Sequence, residues 1–151
     1  MRKFTDTDGR EWILKLTVGV IEKVKAKLNI DLLDPITEER QVVVELSPFS
    51  AGNIATFCKL LALLCENQFE ANQISSTSFA DILDMATLKA AYEAFFEEWS
   101  DFFLQLGRED IVEAFRVLKA AMEKEVKNIS QAIQGITSPE DLLATTKQLM
   151  N

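Results

Sequence analysis

Between Leu88 and Leu106, eight apolar side chains recur at three- and four-residue steps: Leu88, Tyr92, Phe95, Phe96, Trp99, Phe102, Phe103 and Leu106. At about 100° per residue they fall within an arc of roughly 120° on an α-helix, and Glu93, Glu97, Glu98 and Asp101 fall outside it. Aromatic side chains of ~150–250 Å² each, taken together, exceed the few hundred Å² of apolar patch that a monomer normally exposes. Something therefore covers this stripe. Packing by the chain's own core is the first explanation; the other is a partner surface, either a second copy or a helical segment laid in a groove.

Gly107 stands where a helix-terminating glycine belongs. A second long helix follows from about Arg108 to Gln134, with Ile111, Phe115, Leu118, Met122, Val126, Ile129 and Ile133 on one stripe and Gly135 at its end. The short join makes the two helices antiparallel neighbours. Ser138 and Pro139 then open a last short helix through Met150.

The segments before the stripe are shorter. Lys3 to Asp6 and Arg10 to Leu16 flank Thr7-Asp8-Gly9, a tight-turn sequence, and predict a hairpin with Trp12, Leu14 and Leu16 on one face and Ile13 opposite. That spacing leaves the sheet covered on part of both sides. Thr17 caps a helix through Leu28 carrying Val18, Ile21, Val24 and Leu28, stopped by Asn29 and the Asp34-Pro35 step. Thr37 to Leu46 carries mixed signals, because Thr37-Glu38-Glu39-Arg40 resembles a helix start and Val42-Val43-Val44 favours a strand; a short helix is the preferred reading. Ser50 caps a helix to about Asn67 whose apolar set includes Ile54, Phe57, Leu61 and Leu64. Gln68 to Ser76 reads as polar loop, Thr77 or Ser78 as the cap of a short helix through Met85, and Thr87 as the cap of the aromatic helix. The expected fold is mainly α (α+β): residues 1–17 a β-hairpin and 18–151 a helical bundle with two long antiparallel helices. At 151 residues the chain suits one domain, 1–151.

Charge restricts function. A net charge of −8 argues against phosphate-backbone binding. The acidity is concentrated: Met1 to Arg40 balances eight acids with eight bases, and Glu66 to Glu113 holds eleven acids against Lys89 and Arg108. Histidine is absent, which removes the commonest general base and zinc ligand and every Ser-His or Cys-His arrangement. Cys58 and Cys65 lie roughly 10.5 Å apart along a helix, beyond the ~7 Å Cα limit for a bridge, and read as buried core fillers. Adjacent acids such as Glu97 and Glu98, or Glu109 and Asp110, point ~100° apart with no apolar pocket to separate their pKa values. The glycines never cluster into a phosphate loop. No catalytic, cofactor-binding or metal-binding residue is therefore expected. The most apolar run, Ile54 to Cys65, is shorter than the ~20 residues of a spanning helix, and no apolar stretch follows the N-terminal charges. A cytoplasmic protein with neither a membrane nor a nucleic acid as partner is expected.

Asp8-Gly9-Arg10-Glu11-Trp12, then Thr17-Val18-Gly19 opening a helix, then Asp31-Leu32-Leu33-Asp34, resembles small proteins encoded among the tail genes of long-tailed bacteriophages and prophages. Phe57 to Cys65 and Ala86 to Phe103, ending in Trp99-Ser100-Asp101-Phe102-Phe103, are similar to the later helices of that group, so the resemblance covers roughly Lys3 to Phe115. It implies a phage tail assembly chaperone: a small, acidic, mainly helical protein that coats the hydrophobic tape-measure protein while the tail tube polymerises in the bacterial host cell. The implied partners are the tape-measure and tail tube proteins, with self-association possible. The expected binding surface is whatever part of Tyr92, Phe95, Phe96, Trp99, Phe102 and Phe103 the chain leaves uncovered, rimmed by Glu93, Glu97, Glu98 and Asp101. The competing expectation is an acidic interaction module that mimics DNA and occupies a basic nucleic-acid-binding protein.

Overall fold

The structure, a computed structural model, describes residues 1–48 and 53–134, with side chains through Lys124. Two strands, β1 (Arg2–Thr5) and β2 (Glu11–Leu14), are followed by helices α1 (Val18–Leu28), α2 (Val42–Glu45), α3 (Ile54–Cys65), α4 (Met85–Gln105) and α5 (Glu109–Gln134). Mainly helical content behind an N-terminal hairpin agrees with the α+β expectation. The contacts divide the chain into one compact unit, Met1–Ile111, and a second that begins at Val112. In the second unit Val112 and Phe115 of α5 are buried.

The hairpin owes its shape to one carboxylate. β1 and β2 pair antiparallel with Phe4 opposite Trp12. In the turn, Asp6 Oδ1 accepts the backbone N–H groups of Asp8 (2.9 Å) and Arg10 (3.0 Å). Its Oδ2 accepts the indole N–H of Trp12 at 3.0 Å. Gly9, at φ +82°, supplies the left-handed step the turn needs. Burial alone would raise the Asp6 pKa. The Trp12 indole, the Arg10 and Asp8 amides and the Arg10 guanidinium overcome that and hold the carboxyl below its ordinary value. β1 is shifted by one residue from the expected Lys3–Asp6 and β2 is shorter than the expected Arg10–Leu16, with Asp6 and Arg10 taken up by the turn. Trp12, Leu14 and Leu16 are buried as expected, and Ile13 on the other face is 43% exposed.

Trp12 seats the hairpin in the core. Its ring stacks on Phe4 at 6.5 Å and meets the edges of Phe69 at 6.1 Å and Phe79 at 5.1 Å. Along the outer edge of β2, the Gln68 amide donates to the Ile13 carbonyl (2.8 Å) and accepts from the Ile13 N–H (2.7 Å), and Asn72 donates to the Glu11 carbonyl at 3.3 Å. The polar stretch after α3 thus closes one edge of the sheet.

Several boundaries follow the expected chemistry. Thr17 Oγ1 accepts the Val20 N–H at 3.2 Å, and Asn29 closes α1 in the left-handed conformation. Gly107, at φ +75°, ends α4 with paired bonds from its own N–H to the Leu104 carbonyl (3.0 Å) and from the Arg108 N–H to the Phe103 carbonyl (2.9 Å).

Others differ. Asp84 caps α4, accepting the Thr87 N–H at 2.8 Å, and Thr87 is buried one turn inside the helix instead of capping it. The short helix before it is only a 3-10 turn, Phe79–Ile82, with no side-chain cap from Ser78. Thr37 to Arg40 is a hydrogen-bonded turn, with the Thr37 hydroxyl bonded to the Arg40 backbone (2.9 Å both ways). The short helix α2 begins after it and uses the valines, because burying Val42, Val43 and Leu46 outweighs their strand preference. The expected Ser50 cap, the Gly135 stop and the Ser138–Met150 helix lie outside the described residues.

Replacing Gly9 by Val places a β-branched residue at positive φ and is expected to cost about 1–2 kcal/mol in urea unfolding, with Asp8→Asn within ~0.5 kcal/mol of wild type. Equal midpoints for the two variants would contradict this account of the turn. Because the folded-state pKa of Asp6 is depressed, its contribution is fully present above the unfolded carboxylate pKa of about 3.9 and is lost as pH falls through that value towards the lower folded one. Asp6→Asn is expected to cost about 2 kcal/mol at neutral pH and to flatten the acid limb of the stability profile.

Candidate functional site

The aromatic face of α4 is where sequence reasoning placed the site, and most of it is core. Tyr92, Phe95, Phe96, Trp99 and Phe103 are buried. Phe57 of α3 meets Tyr92 at 5.7 Å and Phe95 at 6.0 Å edge-on, and Phe95 packs on Trp99 at 5.3 Å. The Trp99 indole N–H donates to the Leu32 carbonyl at 2.9 Å in a buried bond that ties the segment after α1 to this face. For these five residues the core explanation of the stripe applies, and they are not part of an exposed binding surface: each ring has neighbours of its own chain, and an aromatic of this size is stabilised by leaving water.

What remains outside lies at the C-terminal end of α4. Phe102 is half-buried against Phe103, with ring centroids 5.8 Å apart. Leu104 is 48% exposed and Leu106 56%.

The acidic rim also changes character. Glu98 is buried, not a rim residue; its Oε1 accepts the Met1 ammonium at 2.8 Å and its Oε2 the Leu16 N–H at 3.3 Å. Glu97 and Asp101 share one cation, Arg2, whose guanidinium reaches Asp101 at 2.7 Å and Glu97 at 3.2 Å. The hydrogen bond to Asp101 and its charge are the main reasons the Arg2 pKa is raised. Glu93 is half-exposed. The acids of α4 therefore anchor the N-terminal strand as well as facing solvent. No sequence signal links Arg2 to partners about a hundred positions away.

Cys65 is buried and its thiol is pushed up to about 12 by desolvation; Cys58 is raised by the same cause but is only half-buried. The expectation of two buried thiols holds in full for Cys65 alone. Neither thiol is activated as a nucleophile. Among the described residues, no group of three or more His, Cys, Asp or Glu side chains could hold a metal ion, and no helix is long and apolar enough to cross a membrane.

No protein-family model, curated protein or solved structure matches this chain.

Native protein at neutral pH is expected to leave Cys65 unmodified by a thiol reagent over the time in which Cys58 is partly labelled, with both reacting at once in denaturant. Mass spectrometry of the labelled peptides reads this out, and equal native rates would contradict the packing described for α3.

Proposed function

We propose that the chain is a non-enzymatic tail assembly chaperone of a long-tailed bacteriophage or prophage, which holds the tape-measure protein in solution in the host cytoplasm while the tail tube polymerises around it. The motifs from the hairpin turn through Trp99-Ser100-Asp101-Phe102-Phe103 support this reading. The observation that carries it is the emergence of the α4 stripe from the core at its C-terminal end, where exposed Leu106 follows half-buried Phe102.

A holding protein needs apolar contact for affinity and charge for solubility. Phe102 and Leu106 supply the first, and the acid-rich middle of the chain the second. The surface is small, so binding is reversible, as suits a partner that must be handed on to the tail tube protein.

A DNA mimic needs a dense field of uncompensated acids. Glu98 is withdrawn into the core and Glu97 and Asp101 are partly neutralised by Arg2, so the α4 acids suit that role poorly.

The test is co-expression with the tape-measure protein, followed by pull-down at low and high salt. Leu106→Ser is expected to lower retention by about threefold, since one half-exposed leucine contributes roughly 0.7 kcal/mol. Replacing Glu93, Glu97 and Asp101 by Ser is expected to lower the solubility of the complex more than its retention, and salt is expected to leave retention nearly unchanged. Loss of the complex at moderate salt, or no retention at any salt, would sink the reading.

A further inference from the structure

Glu98 is the most enclosed acid of α4, and its carboxylate holds both ends of the hairpin. Its Oε2 accepts the Leu16 N–H at 3.3 Å, where the chain leaves β2, and its Oε1 accepts from the Met1 ammonium at 2.8 Å, at the entry to β1. The acceptor is buried, at 5% exposure, but the residue that carries the donor is 77% exposed. A charge inside the protein is therefore neutralised by one that lies within reach of solvent and of anything dissolved in it.

The two side-chain cations of β1 are committed elsewhere. Arg2 reaches Asp101 at 2.7 Å and Glu97 at 3.2 Å, and Lys3 reaches Glu11 at 3.3 Å. Neither can take the place of the ammonium without giving up its own partner. A buried carboxylate that loses its cation keeps the cost of leaving water and loses the attraction that offset it, so this pair matters more than an exposed one of equal length.

We propose that the α-nitrogen of Met1 is a modification site, and that its acylation, in a chain that starts at Met1, loosens the hold of the hairpin on α4. The neutral amine attacks the carbonyl carbon of an activated acyl donor such as a thioester. The N–C bond forms, the C–S bond breaks, and the thiol leaves with the proton. The site is independent of the partner named in the preceding reading.

The product is an amide, which carries no charge and keeps a single N–H. Its new carbonyl oxygen also comes close to Glu98 Oε1, where two acceptors repel. A neutral hydrogen bond is about half as strong as the charge-assisted one it replaces, so the strand entry is weakened even if the N–H still finds the carboxylate. Because the same carboxylate accepts the Leu16 N–H, a change at the first residue is felt where the hairpin ends.

The test compares the full chain with a free Met1 amine and the same chain bearing N-formyl-Met1, the smallest acyl form, obtained by expression with peptide deformylase inhibited and identified by intact mass. Formylation is expected to raise the unfolding equilibrium constant in urea about tenfold, as loss of one charged hydrogen bond to a buried acid implies, and to speed exchange of the Leu16 amide by a similar factor. Glu98→Gln keeps the side-chain shape and an acceptor for Leu16 but removes the charge, so in that variant formylation is expected to change either quantity by less than about twofold. If Glu98→Gln fails to fold, a chain extended by one glycine before Met1, which carries the ammonium away by about 3.3 Å, takes its place and is expected to match the formylated protein. Equal stability of the free and formylated chains, unchanged exchange at Leu16, an undiminished effect in Glu98→Gln, or a glycine-extended chain as stable as the original would each overturn the proposal.

Discussion

The first unit is organised by the need to keep the aromatic face of α4 out of water. No single neighbour could do so. Phe57 of α3 covers the middle of the face through Tyr92 and Phe95, and the segment after α1 is pinned over Trp99 through the Leu32 carbonyl. β1 lies along the same helix with its charged end fastened to Glu97, Glu98 and Asp101. Burying one large apolar side chain contributes about 1.5–3 kcal/mol, so a face of this many rings outweighs any local preference of the shorter segments that cover it. The valine-rich α2 illustrates the point. Its sequence favours a strand, yet it makes one helical turn because that turn puts Val42, Val43 and Leu46 inside.

Polar groups drawn inward by this packing are matched, and the matches give the interior its specificity. Asp6 serves both the turn backbone and the Trp12 indole, so one carboxylate fixes the hairpin's shape and its seat in the core. Glu98 does comparable work where the chain leaves the hairpin, meeting the Leu16 N–H. Leaving either partner unpaired would cost about 1–3 kcal/mol, which is why these carboxylates are not interchangeable with the solvent-facing acids around them. Of the eleven acids between Glu66 and Glu113 only Glu98 is buried, so the acidity of the middle of the chain otherwise stays at its surface.

Legibility varied with the range of the interaction involved. The hairpin, the Thr17 cap, the glycine that ends α4 and the two long helices depend on residues within a few positions of one another, and all were readable. The α4 cap was misplaced because Asp84 and Thr87 are both capping residues at suitable positions, and only the burial of Thr87 decides between them. At the candidate site five of the six aromatics are interior, as packing by the chain's own core implies, and Glu98, expected at the rim, is interior with them. The exposed remainder of the stripe, Leu106, lies at the C-terminal end of α4, a boundary that periodicity does not encode.

By itself the sequence determined what kind of molecule this is: an acidic, histidine-free, mainly helical chain with a hairpin at its start and one helix face too aromatic to be left in water. Those properties follow from composition, from local hydrogen-bonding chemistry and from periods of 2 and 3.6 residues, all of which act over short stretches of chain. Only the tertiary structure decided which carboxylates are buried, which cation meets Glu97 and Asp101, and that Gln68 and Asn72 seal the edge of β2. Each of those outcomes joins groups far apart in sequence, and their meeting depends on how helices and sheet pack around the α4 face, not on any pattern that neighbouring residues carry.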